Sequence, residues 1–362
     1  MEHVAIDLGA RKSQVCRRNS GGVIVEERVV PTRDLVAYLE YRAKQQRCRV
    51  VLETCSEAFR IADAALAMGH EVRVVAATLV RSLGVGARRT KTDRRDAQVL
   101  SEVSCRIDLP SVHIPSRSSR ERKSLCAMRE ALVGSRTKLI NTVRGWMRSQ
   151  AIALRTGGAE TFAARLRAQA QQESFELPSY VERQLAMIES LSDQIAKADR
   201  EVKLDAHSDP VCRRLMTTPG VGPMTATRFV AALDQVGRFA NAHAVQSYLG
   251  LVPGEDSSSE RQRRTAITKA GSAPVRWLLV QAAHSLRRTR PQDPLVQWSK
   301  QVEHRRGKRI AVVALARRLA GILYALWRDS SVYSPERNHG PGALQNGSPI
   351  SSTFSSTASA GI

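Results

Sequence analysis

Four acidic residues are spaced so that they could gather around a metal ion. Asp7 interrupts the apolar run of residues 4–8, and Glu53 ends the apolar run of residues 50–53. Asp93 and Asp96 are three residues apart at the start of a predicted helix, so they share one helix face. An aspartate inside an apolar strand buries an unpaired charge unless a site uses it. Mg²⁺ prefers carboxylate oxygens as ligands. Two such ions about 4 Å apart would stabilise the attacking and leaving oxygens of a phosphoryl transfer.

Each of these acids alone also has a simpler interpretation. An aspartate in the first turn of a helix commonly caps it or interacts favourably with the helix dipole, which would explain Asp93 and Asp96. A glutamate at a strand end, such as Glu53, can be solvated. Asp7 is the hardest to explain without a site, and the four together favour a metal site over these alternatives.

The order of predicted elements decides whether these acids can meet. Residues 4–30 contain short β-rich pieces separated by glycine and polar turns, which predicts an antiparallel meander. A helix over residues 32–46 follows, with Thr32 as its expected cap, and then strand, helix, strand and a helix from Asp93. The order βββαβαβα predicts a sheet covered by helices and matches a ribonuclease H-like topology. In that fold the four acids converge at one sheet edge.

The remainder of the chain is predicted to be mainly helical. One long basic helix is expected over residues 117–154, and Val181, Ile188, Ile195 and Val202 then repeat at seven-residue spacing. This stripe predicts either a short coiled coil that offers a dimer seam or an amphipathic helix packed within its own chain. The expected domains are a metal-binding domain at 1–115, a long-helix region at 116–207, a mainly helical domain at 208–328 and a disordered tail at 329–362.

Charge and composition limit the partners. The 362 residues include 56 Lys and Arg against 34 Asp and Glu, a formal net charge of +22, which favours a nucleic-acid partner. Aromatic residues make only 4%, so backbone contacts rather than base stacking should dominate affinity. No apolar run reaches the ~20 residues of a membrane span, and no signal peptide is recognisable, so we expect a cytoplasmic protein with no membrane. Six scattered cysteines predict reduced, mostly buried thiols.

Two loops in the second half of the chain could contact phosphate. Gly220 and Gly222 permit a tight hairpin whose backbone N–H groups, with the next helix N-terminus, can hold a phosphate, although such a segment can also be an ordinary turn. The serine run Ser257, Ser258 and Ser259 is flanked by basic residues suited to phosphate neutralisation, which could equally be solvated surface. Those basic residues are Arg261, Arg263, Arg264, Lys269 and Arg276.

These motifs together resemble the DEDD transposases of the IS110 and IS1111 group of bacterial insertion sequences. The resemblance covers about residues 4–328. In the first half it rests on Ala5-Ile6-Asp7, Leu52-Glu53-Thr54 and Lys91-Thr92-Asp93-x-x-Asp96-Ala97. In the second half it rests on Pro219-Gly220-Val221-Gly222-Pro223, Tyr248-x-Gly250-Leu251-x-Pro253, Ser257-Ser258, Ile267-x-Lys269-x-Gly271 and Arg276-x-Leu278-Leu279.

The resemblance implies a RuvC-like domain in which Asp7, Glu53, Asp93 and Asp96 hold Mg²⁺, and a later domain with a helix-hairpin-helix segment. It implies Ser258 as the nucleophile that cuts and rejoins DNA. Ser259 replaces the family's usual glycine, so the choice between Ser257 and Ser258 stays open. Arg94 and Arg95, beside the acids, are expected to contact nucleic acid. The family further implies an element-encoded guide RNA, a homo-oligomer (dimer or tetramer) and action at the bacterial nucleoid.

Three other functions fit parts of the sequence. A Holliday-junction resolvase-like nuclease would use the carboxylates to activate water and would form no covalent adduct. A non-enzymatic nucleic-acid-binding protein would account for the charge but leave Asp7 unexplained. An actin-like sugar kinase would use Asp7-Leu8-Gly9 and Lys12 as a phosphate loop, but the sequence has no second Asp-x-Gly loop and is strongly basic.

Overall fold

The structure is a computed structural model that describes residues 1–82, 92–255 and 264–335. The chain divides into two compact units, Met1–Ser116 and Arg117–Ile362, called here the N-terminal unit and the C-terminal unit. Each is described by itself below.

The N-terminal unit is built on a five-stranded sheet with the order β3-β2-β1-β4-β5. The first three strands are antiparallel neighbours, whereas β4 lies parallel to β1 and β5 lies parallel to β4. The predicted meander followed by parallel strands is therefore confirmed. The strands are β1 (Glu2–Asp7), β2 (Lys12–Arg18), β3 (Ile24–Pro31), β4 (Cys48–Glu53) and β5 (Glu71–Val75).

Helices cover both faces of this sheet. They are α1 (Leu35–Gln45), α2 (Ala58–Ala67), α3 (Ala77–Ser82) and α4 (Asp93–Arg106). Successive strand residues point to opposite faces, so Val4 and Ile6 pack with the residues of α1 and α2, whereas Ala5 and Val51 pack with Leu100 of α4. The short α3 was not predicted from the sequence.

The predicted cap at Thr32 is wrong. Residues Thr32–Asp34 form a 3₁₀ turn ahead of α1, and Thr32 is buried. Its hydroxyl donates to the Gly9 carbonyl at 2.6 Å and lies 2.8 Å from the Ser13 hydroxyl. Thr32 therefore braces the turn between β1 and β2 instead of starting a helix.

The C-terminal unit contains two long helices and a helical core. The helices are α5 (Arg117–Ser149), α6 (Phe162–Gln172), α7 (Ser179–Ser208), α8 (Pro210–Leu215), α9 (Pro223–Leu233), α10 (Ala242–Tyr248), α11 (Ala273–Thr289), α12 (Pro294–Arg306) and α13 (Lys308–Arg328). Two short antiparallel strands, β6 (Pro253–Glu255) and β7 (Arg264–Ile267), and a 3₁₀ turn at Val236–Arg238 complete the unit.

The long helices α5 and α7 run antiparallel beside each other. Arg122 pairs with Asp205 at 3.1 Å, and Arg129 pairs with Asp199 at 2.8 Å. Residue numbers therefore increase along α5 in the direction in which they decrease along α7. At 1.5 Å per residue, the 33 residues of α5 extend about 50 Å. One end of the pair packs on α9, and the other end packs with α6.

The predicted dimer seam is wrong. Val181, Ile188, Ile195 and Val202 are each at most 4% exposed, and Val181 and Ile188 belong to one buried cluster with Ile140, Val143 and Met147 of α5. A side chain buried against its own chain cannot also meet a second copy. The alternative, an amphipathic helix packed within its own chain, is confirmed.

Helices α8 to α13 surround the larger core of the C-terminal unit, centred on residues such as Phe229, Leu279 and Leu315. Helices of the expected long-helix region and of the expected C-terminal domain belong to this one unit, because α5 and α7 both pack against α9. Helix α13 is long and apolar enough to cross a membrane, but most of it is buried in this core. From residue 336 onwards, the expected tail lies outside the described residues.

Candidate active site

Strand pairing places Asp7 and Glu53 at the same edge of the sheet. Ile6 is in register with Leu52 in the parallel pair of β1 and β4, and each acid is the next residue along its strand. Because side chains alternate, Asp7 lies on the face of Ala5 and Glu53 on the face of Val51. Both acids therefore lie on the face that α4 covers, and both are half-buried.

The contacts of α4 show that its first turn lies towards these acids. Ser104, near the end of α4, lies 2.8 Å from the Nδ1 atom of His3 at the start of β1. Ser101, one turn earlier, hydrogen-bonds to Cys16, whose strand partner is Ala5. Helix α4 therefore runs antiparallel to β1, and its N-terminal turn lies over the end of the strand that carries the acid.

That first turn presents the other two predicted acids in different ways. Thr92 caps α4, accepting a hydrogen bond from the Arg95 backbone N–H. Asp96 is 7% exposed and lies one turn before Leu100, which packs on the sheet, whereas Asp93 is exposed. The structure thus brings Asp7, Glu53 and Asp96 to one sheet edge and leaves Asp93 at its outer rim.

A set of buried and half-buried hydroxyls holds this edge, and none of them was among the predicted site residues. Thr32 and Ser13 brace the turn after Asp7, where a Cβ on Gly9 would lie 2.3 Å from the Lys12 carbonyl oxygen. Thr54, directly after Glu53, accepts a hydrogen bond from the Ala77 backbone N–H at 3.2 Å. The only signal in the sequence was that polar residues lie close to the acids along the chain. Only the structure shows which of these polar residues contact each other.

The donor set suits Mg²⁺, since all four predicted ligands are carboxylates. Among the described ranges 1–82, 92–255 and 264–335, however, no three His, Cys, Asp or Glu residues lie close enough to ligate one ion. The acids share an edge without forming a closed coordination sphere. They fit the metal in chemical type, and they share one edge of the sheet.

Arg94 is engaged within the N-terminal unit. Its guanidinium pairs with Glu27 of β3 at 2.5 Å, and Gln98 donates to the same carboxylate. These hydrogen bonds lower the pKa of Glu27, and the bond to Glu27 raises the pKa of Arg94. Arg94 therefore ties the start of α4 to the edge strand, which is a structural use of a residue predicted to contact nucleic acid. Arg95 lies in the same turn.

In the C-terminal unit, glycines bring two chain segments into backbone contact below the β6–β7 hairpin. A Cβ on Gly271 would lie 2.0 Å from the Tyr248 carbonyl oxygen, and one on Gly250, whose φ is +68°, would lie 2.6 Å from the Ala270 nitrogen. Arg276 donates to the carbonyls of Leu249 and Gly271 at 3.1 and 2.5 Å. The motif residues Gly250, Gly271 and Arg276 therefore form the base of the hairpin.

The predicted nucleophile lies between the two strands of this hairpin in sequence. Ser257, Ser258, Ser259, Arg261 and Arg263 fall outside the described residues, and Arg264 begins β7. Lys269 follows β7, is exposed, and has a left-handed backbone with φ +56°.

The Gly220 and Gly222 segment forms the turn between α8 and α9. Gly220 has φ +85°, and a Cβ there would lie 2.5 Å from the Ala282 carbonyl oxygen, so close packing against α11 requires glycine. Gly222 is the N-cap residue of α9, and no atom lies within 4 Å of its would-be Cβ. Gly220 has a packing role, and Gly222 borders open space at a helix N-terminus.

Two family models match this chain, and each covers one of these regions. The DEDD transposase model of the IS110 type matches residues 4–150, which include the acidic edge. The transposase model for the IS116/IS110/IS902 family matches residues 212–296, which include the hairpin base. A putative transposase of Sinorhizobium fredii, y4qE, is 31% identical over 293 residues, covering 73% of this chain and 71% of the relative. The chain belongs to the IS110 family of transposases.

Other relatives match this IS110-family transposase over most of its length. A probable family 20 transposase of Pseudomonas aeruginosa is 29% identical over 344 residues, covering 92% of this chain and 99% of the relative. The transposase for insertion sequence element IS1111A of Coxiella burnetii is 27% identical over 336 residues, covering 91% and 90%. Membership in this family makes the chain an insertion-sequence transposase, an enzyme that acts on DNA.

Proposed function

We propose that this transposase cuts and rejoins DNA with Asp7, Glu53 and Asp96 as metal ligands, Asp93 as an outer ligand, and Ser258 as nucleophile. The observation that carries the proposal is the convergence of three acids at one edge. Strand alternation puts Asp7 and Glu53 under α4, and the antiparallel course of α4 brings a buried Asp96 to the same place.

The fold supports a RuvC-like assignment for the N-terminal unit. Its strand order, β3-β2-β1-β4-β5 with three antiparallel strands followed by two parallel ones, agrees with the ribonuclease H-like topology expected from the sequence. The α8–turn–α9 segment, with Gly220 tightly packed and Gly222 at the start of α9, supports a helix-hairpin-helix motif.

When bound, two Mg²⁺ ions would neutralise charge that develops on the phosphate during strand transfer. The protein's own contribution is to hold the acids. Thr32 and Ser13 fix the turn beyond Asp7, and Thr54 links the end of β4 to α3. Such bracing limits the reorganisation that a metal-bound state requires.

The remaining assignments depend on the family resemblance. Ser258, or its neighbour Ser257, would attack the DNA phosphate, and Arg261, Arg263, Arg264 and Lys269 would neutralise the phosphates around it. A guide RNA encoded by the element would select the target. A homo-oligomer in the bacterial cytoplasm, acting at the nucleoid, would cut and rejoin the DNA. The formal charge of +22 supports a polyanionic partner of either kind.

The test compares Asp96→Asn with Glu102→Gln, two near-isosteric changes on the same helix. Glu102 lies at the far end of α4, where it pairs with Arg106. We expect Asp96→Asn to abolish Mg²⁺-dependent cleavage of element-end DNA with DNA binding retained, and Glu102→Gln to keep both. Wild-type cleavage by Asp96→Asn would reject the metal site.

A second measurement separates the transposase chemistry from that of a Holliday-junction resolvase-like nuclease. Serine attack leaves a phosphoserine–DNA adduct, whereas activated water leaves none. Trapped reactions of wild-type and Ser258→Ala proteins, analysed by mass spectrometry, should show the adduct only in the wild type. Cleavage without any adduct would favour the nuclease.

A further inference from the structure

A cavity of about 560 Å³ lies at the end of the α5–α7 pair that is distant from α9. We call it the tip cavity. Three aromatic side chains line it, Trp146 near the end of α5, Phe175 after α6 and Tyr180 at the start of α7. Aromatic residues make only 4% of the chain, so three around one open cavity is a local concentration. Its size is that of a small-ligand site.

The polar side chains that line the tip cavity are two carboxylates and two amides, Glu173, Glu176, Gln150 and Gln169. Gln169 donates to the Ala153 carbonyl and to Glu173, each at 3.0 Å, which leaves its amide oxygen as an acceptor. The carboxylates of Glu173 and Glu176 also line the cavity. A ligand that fits must therefore present a flat apolar face to the rings and adjacent hydrogen-bond donors to the carboxylates.

Two helix ends hold the cavity walls in place. Ala151, after α5, and Ser174, after α6, both have left-handed backbones, with φ of +56° and +53°. Backbone bonds from Ile152 to Met147 and from Phe175 to Ala170 close each helix end. Left-handed non-glycine residues cost conformational energy, and two of them at one cavity fix the direction in which its walls leave the helices.

Three arginines lie close in sequence to the residues that line the tip cavity. Arg148 and Arg155 lie just outside the lining segment of residues 150–153, Arg183 lies one turn after Tyr180, and all three are exposed. Acidic and aromatic lining residues with arginines nearby in sequence match a nucleotide, whose base is flat and whose phosphates are anionic.

We propose that the tip cavity binds one unpaired nucleobase, preferentially guanine, of the nucleic acid on which this transposase acts. Stacking on the rings tolerates any base, but a carboxylate selects for donors. Guanine carries two adjacent donors, N1–H and the 2-amino group, that match the two oxygens of one carboxylate. Glu173 already accepts from Gln169, so Glu176 is the carboxylate assigned to guanine. The proposal rests on the proposed function only in taking nucleic acid as the partner.

The experiment measures binding of labelled single-stranded nonamers by fluorescence anisotropy at one fixed salt concentration. The nonamers are oligouridine with a central guanine, hypoxanthine, adenine or uracil, and their deoxy counterparts distinguish an RNA ligand from a DNA ligand. Hypoxanthine lacks only the 2-amino group of guanine. We expect the wild type to bind the guanine nonamer about tenfold more tightly than the hypoxanthine nonamer, since one charge-assisted hydrogen bond is lost.

Two variants and two matched controls assign the effect to the tip cavity. Tyr180, 55% exposed, is compared with Tyr41, which is 59% exposed on α1. Tyr180→Ala should weaken binding of the guanine nonamer about tenfold, whereas Tyr41→Ala should not. Glu176→Gln should remove the preference for guanine over hypoxanthine, and Glu201→Gln, an exposed glutamate on α7, should keep it.

Three outcomes would overturn the proposal. One is equal binding of all nonamers by the wild type. Another is a Tyr180→Ala protein that binds as the wild type does. The third is a change in self-association of Tyr180→Ala or Glu176→Gln, seen by light scattering, without any change in base preference, because the cavity would then hold a protein segment. Asp7→Asn should keep the base preference, so a failure of the metal-site proposal is measured separately by cleavage.

Discussion

The acidic edge of the N-terminal unit and the hairpin base of the C-terminal unit are positioned by different physical means. At the acidic edge, side chains are placed by strand register and by the two-residue alternation of β1 and β4. At the hairpin base, Gly250 and Gly271 allow two backbones to approach so closely that no side chain would fit between them. The first arrangement depends on which residues are present, and the second depends on the absence of a Cβ.

This difference determines how each region tolerates change. An acid at a sheet edge can be replaced by its amide with little effect on packing, because the strand and its partners remain. A methyl group added at the hairpin base must displace backbone atoms, which are held by the ladder and by Arg276. Substitutions at the acidic edge should therefore change DNA cleavage more than stability, and substitutions at the hairpin base should change stability first.

The largest effect on stability is expected for Gly271→Ala. The new Cβ would lie 2.0 Å from the Tyr248 carbonyl oxygen, which cannot move without disrupting the backbone contacts of the hairpin base. We expect the C-terminal unit to lose about 4 kcal/mol of its free energy of unfolding, or to fail to fold. Chemical denaturation measures the loss.

The control for this change is Gly222→Ala in the same unit. Its Cβ would meet no atom within 4 Å, and its φ of −97° suits any residue. Its unfolding transition should lie within about 0.5 kcal/mol of the wild type. Equal stability of the two variants would mean that the hairpin base yields to an added methyl group and that the contrast between the regions is wrong.

A somewhat smaller loss is expected for Ile188→Ala on α7. Ile188 of α7 is fully buried in the cluster that α7 forms with α5 and α6. Its truncation therefore leaves a cavity and should lower the free energy of unfolding by about 2–4 kcal/mol. The neighbouring Met187, 54% exposed, provides the control Met187→Ala, which should change little. Thermal melting at several protein concentrations is the measurement, because loss through a dimer seam would depend on concentration and loss from an internal core would not.

The sequence predicted the strands and the longer helices of the N-terminal unit because their periods and boundaries are clear. Asp7 and Glu53 were placed at one edge because neighbouring parallel strands end together. The Thr32 hydroxyl was misassigned, since a threonine before a helix is commonly a cap and only tertiary contact reveals the bond to Gly9. The stripe on α7 left two outcomes open, because a seven-residue spacing does not specify which partner covers it.

The hydroxyl brace offers a smaller test within the N-terminal unit. Thr32→Val removes the bonds to Gly9 and Ser13 and leaves Ser13 buried without this partner, which should cost about 1–2 kcal/mol. Thr32→Ser keeps the hydroxyl and should recover most of this loss. If Thr32→Val also lowers cleavage while Thr32→Ser restores it, the brace positions Asp7. A Thr32→Val protein as stable as the wild type would show that these hydroxyl hydrogen bonds do not contribute to the free energy of unfolding.

The smallest expected effect concerns thiols, and it compares the two units once more. Burial raises the pKa of Cys48 and Cys126 to about 11 and that of Cys212 to about 12. Burial also raises the pKa of Cys55 and Cys105, but these two thiols are only half-buried and therefore more accessible to a reagent. The folded state favours the protonated form of these buried thiols. Their contribution to stability is therefore complete below the unfolded pKa of about 8.5 and is lost as pH rises towards 11–12.

Thiol alkylation followed by peptide mass spectrometry checks this expectation. At about pH 8, we expect Cys55 and Cys105 to react in the folded protein, and the buried thiols only after unfolding, because the thiolate is the reactive form. Raising the pH towards 11 should accelerate labelling of Cys126 and Cys212 in the C-terminal unit, which holds two such thiols, along with global loss of stability. Rapid labelling of Cys212 at pH 8 would mean that the core around α8 and α9 opens far more readily than its packing indicates.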